Sequence, residues 1–119
     1  FLNTSPGYNA AGMVKYNIQP ILHHIQNQLK EEIKVDSLAE MACLSKDHFS
    51  RIFKSITGLT PCDYVNQKRL ERAQFLLLTT EKGIKEISEE TGFKSASYFT
   101  RIFRKQTNRS PARYRLQQG

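Results

Sequence analysis

Two stretches of the chain repeat each other: HFSRIFKSITGLTPCDY at residues 48–64 and YFTRIFRKQTNRSPARY at residues 98–114. Their aromatic, arginine and proline positions coincide when the copies are aligned. A short segment precedes each copy, SLAEMAC at residues 37–43 and KEISEETG at residues 85–92. Internal repetition indicates two copies of one supersecondary unit. Each unit is predicted to contain a short helix, a tight turn, a second helix and a third, capped helix.

The pattern of apolar residues in the first copy is that of an amphipathic helix. Phe49, Ile52, Phe53 and Ile56 have the i, i+3, i+4, i+7 spacing of a buried stripe. Similar spacing, and the absence of an alternating stretch, predict an all-α protein with two helix-turn-helix subdomains joined by a long linker helix. About seven helices are expected, near residues 18–33, 37–43, 46–57, 61–79, 84–91, 96–107 and 111–117.

Capping residues mark the ends of these helices. Ser37 and Glu40 form a predicted capping box, and Pro20 is tolerated in a first turn. Hydroxyl residues stand before other helices, and glycines that suit a left-handed conformation follow two of them. The N-cap candidates are Ser45, Ser95, Thr60 before Pro61 and Ser110 before Pro111, and the glycines are Gly58 and Gly92.

Size and charge restrict the class of protein. The chain has 119 residues, a net charge of +7 and two cysteines, and residues 94–119 contain seven basic side chains and no acidic one. A concentrated basic stripe favours a nucleic-acid partner. No membrane span or signal peptide is evident, and the sparse cysteines fit a reducing, cytoplasmic location. A nucleic-acid partner would place the protein at the nucleoid. We expect residues 1–16 to be a linker or the end of an upstream region, 17–60 the first subdomain, 61–79 the connecting helix and 80–119 the second subdomain.

The polar faces of the two repeated helices match as well as their apolar faces. Arg51 and Arg101 occupy the same position, each preceded by a hydroxyl residue and followed one turn later by a basic residue. Such a helix fits the major groove, which is about 12 Å wide. The connecting helix would span about 28 Å at 1.5 Å per residue, which suits two readers about one DNA turn, ~34 Å, apart. We therefore predict that helices 46–57 and 96–107 read two successive major-groove segments.

The chain closely resembles the DNA-binding domain of the AraC/XylS family of bacterial transcription regulators. The resemblance spans residues 18–116 and includes Gly92-Phe93, YFTRIF from Tyr98 and the closing Pro-x-x-Tyr-Arg at residues 111–115. Asn108 stands where the family prefers glycine, but asparagine tolerates the left-handed conformation. The segment EISEETGF at residues 86–93 is more polar than its family counterpart, and we interpret it as a solvated face, with an acidic face toward another protein as the alternative.

The resemblance and the polar faces together give the candidate site residues. Arginine can form two hydrogen bonds to guanine or can contact a phosphate, and both assignments stay open for Arg51 and Arg101. Asp47 could accept from a cytosine amine or cap its helix. The base-reading candidates are Lys46, Asp47, Ser50, Arg51, Ala96, Ser97, Thr100 and Arg101. The phosphate candidates are Ser45, Lys54, Lys94, Ser95, Arg104 and Arg109.

The expected function is sequence-specific binding of double-stranded DNA by a transcription regulator, an activator on the evidence of the resemblance. RNA polymerase is a further partner that the resemblance implies, and an upstream sensor or dimerisation domain is expected because the chain begins at Phe1. No catalytic constellation, metal site or cofactor motif is evident, so an enzyme is not expected. The adjacent His23 and His24 point about 100° apart on a helix and cannot share a metal ion. A helical protein–protein adaptor and a sequence-neutral DNA binder remain alternatives.

Overall fold

The computed structural model describes residues 17–118, and this part of the chain contains seven α-helices and no strand. The expected region at residues 1–16 lies outside the described residues. The all-α prediction is confirmed. The helices are α1 Gln19–Asn27, α2 Val35–Met41, α3 Lys46–Thr57, α4 Pro61–Thr79, α5 Ile84–Glu90, α6 Ala96–Thr107 and α7 Pro111–Gln118.

The ends of the repeated helices follow the predicted capping pattern. The Ser45 hydroxyl accepts from the His48 amide at 3.2 Å, and the Ser95 hydroxyl accepts from the Tyr98 amide at 3.0 Å. Helices α4 and α7 begin in the same way: Thr60 accepts from the Asp63 amide at 3.1 Å and Ser110 accepts from the Arg113 amide at 3.2 Å. Each cap satisfies an amide that has no partner within its helix.

Left-handed residues end α3 and α6 as expected. Gly58 has φ +83° and Asn108 has φ +64°, and the amide of each donates to a carbonyl four residues earlier. Asparagine therefore takes the place of glycine in the second copy. This confirms that the cap survives the departure from the family pattern.

Two predicted boundaries were wrong. Helix α1 ends at Asn27 and does not reach residue 33, because the carbonyls of Leu29 and Glu31 turn away to accept from the Arg69 side chain. Helix α2 begins at Val35, so Ser37 lies inside its first turn and forms no capping box. The sequence pattern could not show the contact with Arg69, which is 38–40 residues distant along the chain.

Internal contacts divide the chain into two units. Of the described residues, the first unit comprises those up to Gln28 and Ile33–Val65, and the second comprises Leu29–Glu32 and those from Asn66. In the first unit, α2 packs against α3. Its buried apolar side chains are Ile18, Ile21, Ile25, Leu38, Ala39, Phe49, Phe53 and Val65. Ile56, predicted to be buried, is 41% exposed because it lies at the edge of the stripe, so that prediction was wrong.

The second unit has its own hydrophobic core. Helix α5 packs against α6, and α6 packs against α7. The Phe93 and Phe99 rings lie 5.0 Å apart, and Phe103 meets Tyr114 edge-on at 5.3 Å. Phe53 and Tyr64 make the matching contact in the first unit, also at 5.3 Å. The core residues are Leu70, Ala73, Leu76, Leu77, Ile87, Phe93, Phe99 and Phe103.

The turns before α3 and α6 each contain a residue with positive φ. Cys43 has φ +59° and Gly92 has φ +90°, and each is followed by an amide that donates back into the preceding helix. The bond from Leu44 to Ala39 and the bond from Phe93 to Ser88 are both 3.0 Å long. The turn therefore belongs to the repeat even though only one copy has glycine.

Candidate nucleic-acid interface

The predicted reading face of α3 is open to solvent. The capped start of the helix at Ser45 fixes its register, and the buried Phe49 and Phe53 set the direction of its apolar face. The opposite side therefore presents Asp47, Arg51 and Lys54, all exposed, with Ser50 half-buried between them. Lys46, also exposed, approaches Asp36 of α2 at 3.8 Å, an ion pair too solvated to hold either side chain firmly.

The predicted reading face of α6 is a shallow concave surface. It is lined by Ala96, Ser97, Thr100, Arg101 and Arg104. Ser97, Arg101 and Arg104 are exposed, whereas Ala96 and Thr100 are half-buried. Helix α6 contains no acidic residue, so its surface is uniformly basic or neutral. The structure thus brings all four base-reading candidates of the second copy together with one phosphate candidate.

The two copies expose the same positions. From residue 51 to 61 and from residue 101 to 111, buried, half-buried and exposed positions follow in the same order. Arg51 and Arg101 therefore occupy equivalent exposed sites, and so do Lys54 and Arg104. The match predicted from sequence extends to the surface that each helix presents.

The Arg101 guanidinium lies over an aromatic ring of its own helix. Its central carbon is 5.1 Å from the centroid of the Tyr98 ring, which is within the range of a cation–π contact. Tyr98 is half-buried and packs at 6.1 Å from the Phe93 ring. Its hydroxyl also accepts from the Asn66 side-chain amide at 3.4 Å. The matching residue in α3 is His48, so the two arginines have different neighbours.

The phosphate candidates fall into two groups. Ser45 and Ser95 use their hydroxyls as helix caps. A phosphate at these places would therefore be bound by free backbone amides at the starts of α3 and α6. Lys94 is exposed, and Arg109 is half-buried with its guanidinium 5.9 Å from the Tyr114 ring centroid. Asp47 lies in the first turn of α3, but the cap is made by Ser45.

Two arginines that contribute to the positive charge are structural. Arg69 donates to the carbonyls of Leu29 and Glu31 at 3.0 and 2.8 Å. Arg115 donates to the carbonyls of Leu77 and Thr80 at 3.0 and 3.2 Å. The family resemblance, through its matching segment at residues 69–73, favours a structural role for Arg69, and these contacts agree with it. Sequence reasoning gave Arg115 no separate role, and the closing Pro-x-x-Tyr-Arg motif was its only signal.

The sequence led us to expect a solvated face in the polar segment of α5. The structure shows that this is only partly so. Ser88 and Thr91 are buried, and their hydroxyls lie 2.7 Å from the carbonyls of Lys85 and Ile87. These local bonds allow a hydroxyl to be buried against the core. On the outer side, the Lys82 ammonium donates to the Glu90 carboxylate and thereby lowers the pKa of Glu90.

Within residues 17–118, no group of three or more histidine, cysteine or acidic side chains is placed to hold a metal ion. The His23 ring is within 2.9 Å of the Asn27 side-chain amide on the same helix. No helix in this range is long and apolar enough to cross a membrane.

Two units, each with a capped second helix that presents an exposed arginine, define the class of helix-turn-helix proteins. A family model described as a helix-turn-helix domain matches residues 38–117. The regulatory protein SoxS of Escherichia coli K12 is 35% identical over 98 residues, which cover 82% of this chain and 92% of SoxS. The chain therefore belongs to the AraC family of helix-turn-helix regulators.

Solved structures agree with this assignment. A transcriptional regulator with an AraC-type DNA-binding domain from Chromobacterium violaceum superimposes with a TM-score of 0.74 at 30% identity, covering 81% of this chain and 86% of that one. The DNA-binding domain of AdpA, a global transcriptional factor solved with a target DNA, gives a TM-score of 0.81 at 31% identity and covers 86% and 92%. The chain spans less than half of two other relatives that it matches, 41% and 45% of their lengths.

Proposed function

We propose that this chain binds double-stranded DNA sequence-specifically and serves as the output domain of a transcription regulator. The observation that carries the proposal is the equivalence of the exposed faces of α3 and α6, each with an arginine at the same position. AdpA, which has the same fold, was solved bound to a target DNA. Helices α3 and α6 would then enter two successive segments of the major groove.

We divide the site residues into those proposed to contact bases and those proposed to contact phosphates. Arg51 and Arg101 are assigned to guanine, because a guanidinium can bond to its O6 and N7 together. Lys46, Asp47, Ser50, Ala96, Ser97 and Thr100 complete the two reading faces. Ser45, Lys54, Lys94, Ser95, Arg104 and Arg109 are assigned to phosphates, which set the position of the protein on the duplex.

The remaining parts of the proposal concern the protein as a whole. SoxS is named as a regulatory protein, which supports a regulatory role for this chain. We assign it an activator role with RNA polymerase as a partner, because the family resemblance implies both. The longer relatives support a further region elsewhere in the protein, to which we assign a sensor or dimerisation role. We place the protein in the cytoplasm at the nucleoid, where its DNA lies, and assign it no catalytic activity.

Titration of the chain with duplex DNA over a series of salt concentrations tests the proposal. Several phosphate contacts release counterions, so the logarithm of affinity should fall linearly with that of salt concentration. Specific binding should survive an excess of unrelated duplex. An adaptor would bind no duplex at any salt concentration, and a sequence-neutral binder would be displaced equally well by every competitor.

A further inference from the structure

Three side chains of the second unit hold Arg101 of α6 in place, one by direct contact and two by packing against or bonding to that first one. Tyr98 places its ring under the Arg101 guanidinium, with 5.1 Å between the arginine central carbon and the ring centroid. Phe93, at 6.1 Å, packs beside the same ring, and Asn66 donates to the Tyr98 hydroxyl at 3.4 Å. The ring is therefore held on both its apolar and its polar side.

The contact leaves the reading groups of Arg101 available. A cation–π contact uses the charge of the guanidinium and requires none of its five N–H donors. Arg101 remains exposed and lines the concave surface of α6 with Ser97 and Thr100. An arginine restricted in this way loses less conformational entropy when it binds a base, since part of its freedom has already been lost in the unbound protein.

We propose that Tyr98 is a positioning residue that orients Arg101 for base recognition and so sets the specificity of α6. The inference rests on the proposed function, because it requires that Arg101 contacts a base. The matching position of α3 is His48, so a phenol ring stands at this place only in the second reader.

The test compares variants of the 119-residue chain on duplexes that differ at single base pairs. Tyr98→Leu keeps an apolar side chain but removes the ring. We expect discrimination at the base pair read by Arg101 to fall about two- to fivefold, the range that an exposed cation–π contact supports. Base pairs read by α3 should keep their preference. Tyr98→Phe, which retains the ring, should preserve most of the discrimination.

A double-mutant cycle connects the effect to Arg101. If Tyr98 acts through Arg101, Tyr98→Leu should have no further effect at that base pair once Arg101→Ala is present. Should Tyr98→Leu fail to fold, Tyr98→Met removes the ring with a flexible apolar side chain, and the same loss is expected. Unchanged discrimination in the folded variant, an equal loss at the α3 base pairs, or tighter specific binding would overturn the inference.

The outcomes separate this inference from the proposed function. A wild-type chain without base preference would contradict both. A wild-type preference that Arg101→Ala abolishes and Tyr98→Leu leaves unchanged would contradict the positioning role of Tyr98 alone.

Discussion

Gly92 and the carbonyl group of Leu29 are in closer contact than any other residue type at position 92 would allow. A Cβ atom placed on Gly92 would lie 1.8 Å from the Leu29 oxygen and 2.8 Å from the Arg69 Nε. Gly92 also has φ +90°, which side chains rarely adopt. Two independent requirements, a left-handed backbone and a close approach, therefore act at one residue in the turn before α6.

Gly92→Ala is expected to destabilise the second unit by about 3 kcal/mol or more, because the methyl group collides with a backbone carbonyl and the backbone conformation is strained. Gly58→Ala is the matched control: Gly58 has φ +83° but nothing lies within 4 Å of an added Cβ. It should cost only about 1–2 kcal/mol. Urea denaturation of the two variants measures the difference, and equal losses would show that the contact with Leu29 contributes nothing.

Cys43→Gly is expected to stabilise the first unit by about 1 kcal/mol, since glycine removes the strain of a left-handed residue at φ +59°. Asn108→Gly is the comparison, at φ +64°, and should gain less because asparagine tolerates this conformation. Thermal unfolding monitored by circular dichroism gives both values. A Cys43→Gly variant less stable than the parent would mean that the thiol makes a contribution larger than the strain.

Thr57 and Thr107 are expected to contribute equally to the stability of their two units. Each hydroxyl lies close to the carbonyl four residues earlier, at 2.9 and 2.8 Å, and accepts from the amide two residues later, at 3.1 and 3.3 Å. Replacement by valine keeps the shape but leaves that amide without its partner, at a cost of about 1–2 kcal/mol. Denaturant midpoints of Thr57→Val and Thr107→Val should fall by similar amounts, and a loss in only one copy would contradict the equivalence.

Glu90 is expected to make stability depend on pH. Its pKa is lowered by the hydrogen bond from Lys82 and by the nearby charges of Lys82, Lys30 and Arg72, so the folded state favours the ionised carboxylate. The contribution is therefore present above the unfolded pKa, about 4.3, and is lost as the pH falls through the folded value. Glu90→Gln should reduce stability at pH 7 and approach the parent in acid. Glu89→Gln, on the exposed side of α5, is the charge-matched control. A deficit independent of pH would contradict the assignment.

Lys54→Ala is expected to weaken binding to every DNA sequence and to flatten the salt dependence by about one unit of slope. Lys54 is exposed on α3, one turn beyond Arg51. Fluorescence anisotropy over a salt series measures the slope. An unchanged slope would remove Lys54 from the phosphate contacts.

The sequence predicted those parts of the fold that depend on local pattern. The caps at Ser45 and Ser95 and the left-handed Gly58 were all identified, because capping chemistry involves neighbours within a few residues. The end of α1 was missed, since it depends on a distant side chain, Arg69. The left-handed Cys43 was missed because cysteine gives no signal for that conformation.

The candidate site was predicted to a similar extent. Helical spacing correctly placed Arg51 and Arg101 on exposed faces, since the buried phenylalanines determine which side is outermost. The ring contact between Tyr98 and Arg101 was not predicted, because spacing alone assigned Tyr98 no role beside the reading face. Arg115 was counted with the basic stripe although its guanidinium donates to two backbone carbonyls. Position on a helix was therefore easier to predict than the partners of a long side chain.

Selection of bound duplexes from a randomised pool tests the central claim most directly. Our account predicts two short motifs about one helical turn apart, one lost in Arg51→Ala and the other lost in Arg101→Ala. A pool that binds tightly but contains no common motif would contradict sequence reading by α3 and α6.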